Sequence, residues 1–483
     1  MKKYKWCLWL LLCGIWVNLS AQEPPVMMLS FEESLQRLQK NNHTIRIADK
    51  AVEQAREEQG RLHSFWYPSV QSAGTYVHLS EDIAVKQSLS YYTDPVKDLI
   101  RAYLPGETLL SGVLDLVGGN ILTVPLAPRN LTTVDLTAEW VLFTGGKRIQ
   151  AGRIGQSLVD VAREQRAQVD ATQRTLLAEG YYGLRLAQQN VRVREETYMA
   201  LCQHYENAVK MEEVGLVNRA VRLFAQVMMD ETHRHLKAAR KEEEVAQSAL
   251  KQLLNIDEED ETHIIPTSPL FLNEELPPKE YFLQNLYTGN HLLQELTIQE
   301  QIASRQIKID QSAYMPNIAL FGKQTLYAHN IQSNLVPRTM VGIGFAWNIF
   351  DGLEREKKIR QSRLTRQTVE LGREKAKDEL EVGVDKLYSL LQRAQDNVKA
   401  LGTSIELSEE LVRMRTREFA EGIATSTEVI DAETLLSHVK LLQLASCYEY
   451  DVVLMNLLAL CGIPETFTKY SERYDRGNGE IYD

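Results

Sequence analysis

Residues 134 to 142 alternate, with Val134, Leu136, Ala138, Trp140 and Leu142 on one face and Asp135, Thr137 and Glu139 on the other. That pattern predicts a strand wet on one side. Val341, Ile343, Phe345, Trp347 and Ile349 alternate in the same way with Gly342, Gly344, Ala346 and Asn348. Upstream, Tyr67-Pro68-Ser69-Val70 and Met315-Pro316-Asn317-Ile318 each end a helical stretch with proline and open another strand, so two hairpins are predicted. After each hairpin the apolar period becomes seven: Leu177, Leu184, Val191, Tyr198 and Tyr205, then Val384, Leu391, Val398, Ile405 and Val412. The predicted helices, 147–212 and 354–419, are each about 100 Å long. A strict heptad supercoils such helices around neighbours. They end at Val214-Gly215-Leu216 and Glu421-Gly422-Ile423, where glycine is a C-terminal cap. Helices 219–254 and 426–460 follow, the latter with Thr425 and Glu428 spaced for a capping box. Shorter helices are predicted at 31–40 and 43–65, and again at 279–289 and 291–313.

The two halves are copies. Adding 207 to Trp140, Phe143, Gly145, Tyr181, Gly215 and Ile256 gives Trp347, Phe350, Gly352, Tyr388, Gly422 and Ile463. Two long copies are too few for a solenoid and indicate one unit used twice around an axis. The first repeat is residues 22–254, with its hairpin at 69–143 and long helical hairpin at 147–254. The second is 279–464, with hairpin 317–350 and helices 354–460. Residues 255–278, which hold an acidic run from Asp257 to Glu261 and four prolines, read as a solvated linker or girdle, with cation binding a minor alternative, and 465–483 as a polar mobile tail.

Composition places the chain in an export pathway. Lys2, Lys3 and Lys5 precede an apolar run from Trp6 to Val17, and Ala21 closes a cleavable signal peptide, residues 1–21. Leu12 before Cys13 disfavours lipidation there. Cleavage removes three lysines and no acids from a chain with 54 basic and 65 acidic residues, leaving a net charge of −14. No non-specific hold on nucleic acid is expected of it. Cys202, Cys447 and Cys461 form no disulfide framework. No later run is apolar enough for a membrane helix, but transmembrane strands leave no such peak.

Four strands with one apolar face cannot close a barrel alone, and lipid forbids open sheet edges. If the strands enter a membrane, several chains share one barrel. The alternative is a periplasmic coiled-coil scaffold or adaptor with a soluble sheet. The predicted fold class is mainly α with a small β part.

The order of elements resembles the TolC-like outer membrane efflux proteins. The residues that carry the resemblance are Trp347-Asn348-Ile349-Phe350-Asp351-Gly352, Phe143-Thr144-Gly145-Gly146, Val214-Gly215-Leu216 and Gly422-Ile423-Ala424-Thr425 running into Glu428 to Ala432. The resemblance covers roughly residues 29–464. It implies a homotrimer with a twelve-stranded barrel in outer-membrane lipid, a helical tunnel across the periplasm, and a periplasmic adaptor and inner-membrane pump as partners. It implies no enzymatic step, no cofactor and no metal.

By that resemblance, Glu428 and Asp431, three apart on one helix face, line the entrance, where rings of acids favour cations. The first-tip position that would carry an acid holds Val221 instead. An apolar gate contact of Phe419 with Val221 is expected, with Arg222 as the nearby charge. Val214, Gly215, Leu216, Gly422 and Ile423 are the expected adaptor-docking tips. The first hairpin is longer than the second by 41 residues, since Pro68 to Trp140 spans 72 positions and Pro316 to Trp347 spans 31. The excess, near Leu89 to Asn130, is apolar and reads as an outer loop with a lid or partner role, the alternative being packing of each loop on its own barrel rim. His233 and His235 are two apart and make a poor metal pair, and Gly342 and Gly344 belong to a strand rather than a phosphate loop.

Overall fold

The computed structural model describes residues 26–103, 108–127, 129–257, 262–273, 275–329 and 337–475. The signal peptide, Cys13, residues 258–261 of the acidic run and the tail beyond Asp475 lie outside them. In chain order the elements are β1 (Val26–Leu29), α1 (Phe31–Asn41), α2 (His43–His63), β2 (Ser69–His78), β3 (Ile83–Ser88), α3 (Ser90–Tyr103), α4 (Thr108–Gly118), β4 (Ile121–Ala127), β5 (Asn130–Thr144), α5 (Lys147–Glu213) and α6 (Arg219–Leu253). The second half contains β6 (His263–Pro266), α7 (Lys279–Gly289), α8 (His291–Gln311), β7 (Asn317–His329), β8 (Thr339–Ala346), α9 (Glu354–Ala420), α10 (Ser426–Leu460) and α11 (Phe467–Asp475). The long helices α5 and α9 contain 67 residues each.

The chain divides into two compact units. The first, residues 1–54, 159–299 and 369–483, is helical. Its core joins heptad residues Leu177, Leu184, Val384, Leu391 and Val398 to an aromatic group of Phe31, Tyr181, Tyr182, Phe271, Tyr450 and Phe467. The buried Tyr181 hydroxyl donates to Leu29 O at 2.8 Å and accepts from Ser268 N at 2.9 Å, which satisfies a phenol that burial would otherwise penalise. Farther along the same seams, Tyr198, Tyr205 and Val412 are only half-buried.

Two expectations fail in this unit. The segment 255–278 is not a solvated linker: Ile264, Leu270, Phe271 and Leu272 are buried, and β6 pairs in parallel with β1. Nor is the start of the tail mobile. Residues 467–475 form α11, and its Phe467 packs on Phe31 and Phe271 with centroids 5.1 and 5.5 Å away. In both places a few apolar residues within a polar stretch are enough to seat it in the core.

The second unit, residues 55–158 and 300–368, carries a four-stranded antiparallel sheet in the order β2-β5-β7-β8. Both predicted hairpins form, and β5–β7 joins them. One face holds Val70, Leu136, Trp140, Leu320, Val341, Ile343 and Phe345, in register across the strands. On the other, Lys323 Nζ lies 2.9 Å from Asp135 Oδ2, and Thr325 donates to Asp135. Gly342 allows the Phe321 ring to lie flat on the sheet, since a Cβ there would fall 2.7 Å from the ring. Within the described residues β2 and β8 are sheet edges with one neighbour each. The long outer loop is an insert with its own structure, a β3–β4 pair and the helices α3 and α4.

Candidate functional site

The two helical tips are built alike. Leu216 N donates to Met211 O and Gly215 N to Glu212 O; Ile423 N donates to Glu418 O and Gly422 N to Phe419 O. Each is a Schellman cap whose glycine has a positive φ, 77° at Gly215 and 75° at Gly422. The chain then re-enters a helix through an N-cap, Asn218 or Thr425. The caps leave Val214, Leu216 and Ile423 at 70, 70 and 72% exposure. The expected docking residues thus form paired apolar points at the helix turns.

The tips differ three residues into the second helix. Glu428 completes the capping box, its carboxylate accepting from Thr425 N at 2.7 Å and Thr425 Oγ1 at 3.0 Å. These bonds, the backbone one first, lower its pKa, and Arg415 adds a weaker attraction at 3.5 Å. The counterpart Val221 makes only the backbone half, donating to Asn218 Oδ1. Asp431 is exposed on α10, where the counterpart is Phe224. At these two positions the second repeat has acids where the first has Val221 and Phe224.

Phe419 is 3% exposed within a single chain, and its ring meets His204 of α5 with centroids 4.7 Å apart. The expected partner, Val221, is not what its ring stacks on. His204 Nε2 lies 2.7 Å from Ser426 Oγ, and burial lowers the imidazole pKa. Arg222 forms an ion pair with Glu212 inside the first tip. Histidine between two apolar helices gave no sequence signal, because its partners lie more than 200 residues away. His233 stacks on Tyr198, and His235 lies 3.1 Å from Glu231.

Two duplicated arginines support the base of the sheet. Arg148 lies over the Trp66 ring at 4.3 Å and donates to Val141 O and Phe65 O. Arg355 lies over Tyr314 at 4.8 Å and donates to Asn348 O at 3.0 Å and Ala313 O at 3.3 Å. A flat guanidinium can stack on a ring and reach several carbonyls together, whereas an ammonium cannot. The signal was available: Arg148 and Arg355 are 207 apart, while Phe65 and Ala313 are 248 apart, which is 207 plus the 41-residue insert.

These geometries, a sheet with open edges and one apolar face together with twin capped helical hairpins, can be compared with known proteins. Residues 282–462 match the family model for outer membrane efflux protein. That match spans nearly the whole second repeat. No curated protein matches the chain. Among solved structures, the outer membrane efflux fold is shared with CusC, at 17% identity and TM-score 0.68 over 89% of this chain and 92% of that one. Vibrio cholerae VceC has 13% identity and TM-score 0.67 over 89% and 96%. The open state of the Neisseria gonorrhoeae MtrE outer membrane channel has 15% identity and TM-score 0.67 over 90% and 89%. The duplication extends the efflux fold to the first repeat, which the family model does not reach.

Proposed function

We propose that the chain is the passive exit duct of a tripartite efflux or type I secretion system, set in the bacterial outer membrane and extending into the periplasm. The observation that carries this reading is the four-stranded sheet: one face apolar, the other polar, and both edges open. In lipid such edges must be paired, and three copies give a closed barrel of twelve strands. The long helices of the three copies line a periplasmic tunnel. A pump loads cargo through an adaptor that docks on Val214, Gly215, Leu216, Gly422 and Ile423.

Three copies place Glu428 and Asp431 around one entrance. Glu428 is engaged by Thr425 and Arg415, whereas Asp431 is exposed on α10 and is the more accessible of the two to a cation. Phe419, His204 and Ser426 join α5, α9 and α10 beside that entrance, while Val221 and Arg222 complete the first tip.

The test is conductance in a planar bilayer with purified, heat-resistant trimers. Small currents blocked by a trivalent cation from the tip side are expected, with block released by Asp431→Ala more than by Glu428→Ala. Extraction of the chain into buffer without detergent, with no trimer and no current, would reject the duct in favour of the periplasmic scaffold.

A further inference from the structure

The α3–α4 hairpin has its polar side inward. Thr93 and Lys97 are buried; Lys97 Nζ lies 3.1 Å from Asp94 Oδ1 and 2.6 Å from Asp115 Oδ1. A Cβ added to Gly118 would fall 2.4 Å from Thr93 Oγ1, so the helices meet through small and charged groups. The large apolar residues face outward instead. On α3 they are Tyr92, Val96 and Leu99; on α4, Leu109, Val113 and Leu116, with Leu109 80% and Leu116 77% exposed. Both stripes have the spacing i, i+4, i+7, which is the seam of helices that pack along their length.

Connectivity locates this surface. Leu79 N donates to Arg129 O, extending the β2–β5 ladder, and Arg129 N donates to Asp82 Oδ1; both distances are 2.8 Å. The insert is therefore tied to the end of β2–β5 opposite the one where α2 enters and α5 leaves. It adjoins the open edge strand β2, which in a trimeric barrel is the seam with the next copy.

We propose that the α3–α4 hairpins of three copies pack on one another through these stripes and form a helical cap over the outer mouth. This rests on the trimeric duct reading. A second copy fits the surface better than lipid does. Lipid requires no heptad spacing, and the stripes adjoin the β2 edge at which the next copy would stand.

The experiment places one thiol on the seam, Val113→Cys, in a Cys202→Ser background, the other two cysteines being buried. Intact cells are treated with a short bis-maleimide, and Arg101→Cys, on the other side of α3, is the control. Covalent dimers from Val113→Cys alone are expected. They are lost when Leu109→Glu and Leu116→Glu are added, while the heat-resistant trimer persists. A persisting trimer without cross-links overturns the cap. An apolar shift of an environment-sensitive probe on the Val113→Cys thiol, appearing only in vesicles, then identifies lipid as the occupant. Failure of the unmodified chain to form a trimer at all would reject the duct reading and the cap with it.

Discussion

His204 Nε2 lies 2.7 Å from Ser426 Oγ and joins a helix of the first repeat to the start of α10 in the second. Burial disfavours the imidazolium, so the folded-state pKa is below the ordinary histidine value. The unfolded or opened state then binds more protons than the closed one. The stabilisation is fully present above the ordinary value and is lost as pH falls through the window beneath it. Protease sensitivity of the tips should therefore rise on mild acidification. His204→Gln should flatten that response, and Phe419→Ala should raise both sensitivity and conductance at neutral pH. An unchanged acid response in His204→Gln would assign the effect to another group.

Asp451 is wholly buried; one carboxylate oxygen accepts from Phe271 N at 3.4 Å, and the other has no hydrogen-bond partner among the described residues. Burial raises its pKa well above the usual carboxylate value. The folded state thus holds a proton that the unfolded state releases, and stability falls as pH rises from the ordinary carboxylate value through the folded one. Asp451→Asn keeps the acceptor without the charge. Thermal melts across pH should show the variant gaining on the parent toward neutrality, by about 1–3 kcal/mol. Parallel curves would mean that Asp451 titrates normally.

Asn42 Nδ2 donates to Leu253 O at 3.2 Å, and Asn290 Nδ2 donates to Leu460 O at 2.8 Å. Their Oδ1 atoms also accept from the first turns of α2 and α8. Each asparagine caps one helix and satisfies the end of another. Asn42→Ala and Asn290→Ala should each destabilise by about 1–2 kcal/mol. Additive loss in the double variant, read from melting midpoints, would show two independent locks; strong non-additivity would contradict that reading.

Arg148 and Arg355 should not tolerate lysine. Either Arg→Lys change retains the charge and loses the ring stacking and the multiple carbonyl bonds. The yield of heat-resistant trimers should fall, with helix content unchanged by circular dichroism. Full yield in Arg148→Lys/Arg355→Lys would show that charge alone suffices at these positions.

Both long helices, the strands, the turn glycines and the capping box at Thr425 and Glu428 stand where period, proline and glycine placed them, except that β8 ends at Ala346, short of the expected Trp347 and Ile349. Those signals are local: a strand alternates every two residues, a seam recurs every seven, and a cap needs only its own turn. The same reasoning misjudged residues 255–278 and the start of the tail. Phe271 and Phe467 become core residues through Phe31 and Tyr182, far away in the chain. The stacking of Phe419 on His204 gave no such signal, because a partner on another helix cannot be read from spacing.

Period, proline and glycine settle the repeated unit, its elements and their order, because each depends on interactions within a turn or a pleat. Which side chains meet is settled by packing alone. His204 finds Ser426, Asn42 finds Leu253 O, Asp451 is sealed from water, and the α3–α4 hairpin turns its ion pairs inward and its leucines outward. Those outcomes depend on how separate elements pack, and packing brings together residues that no local pattern relates.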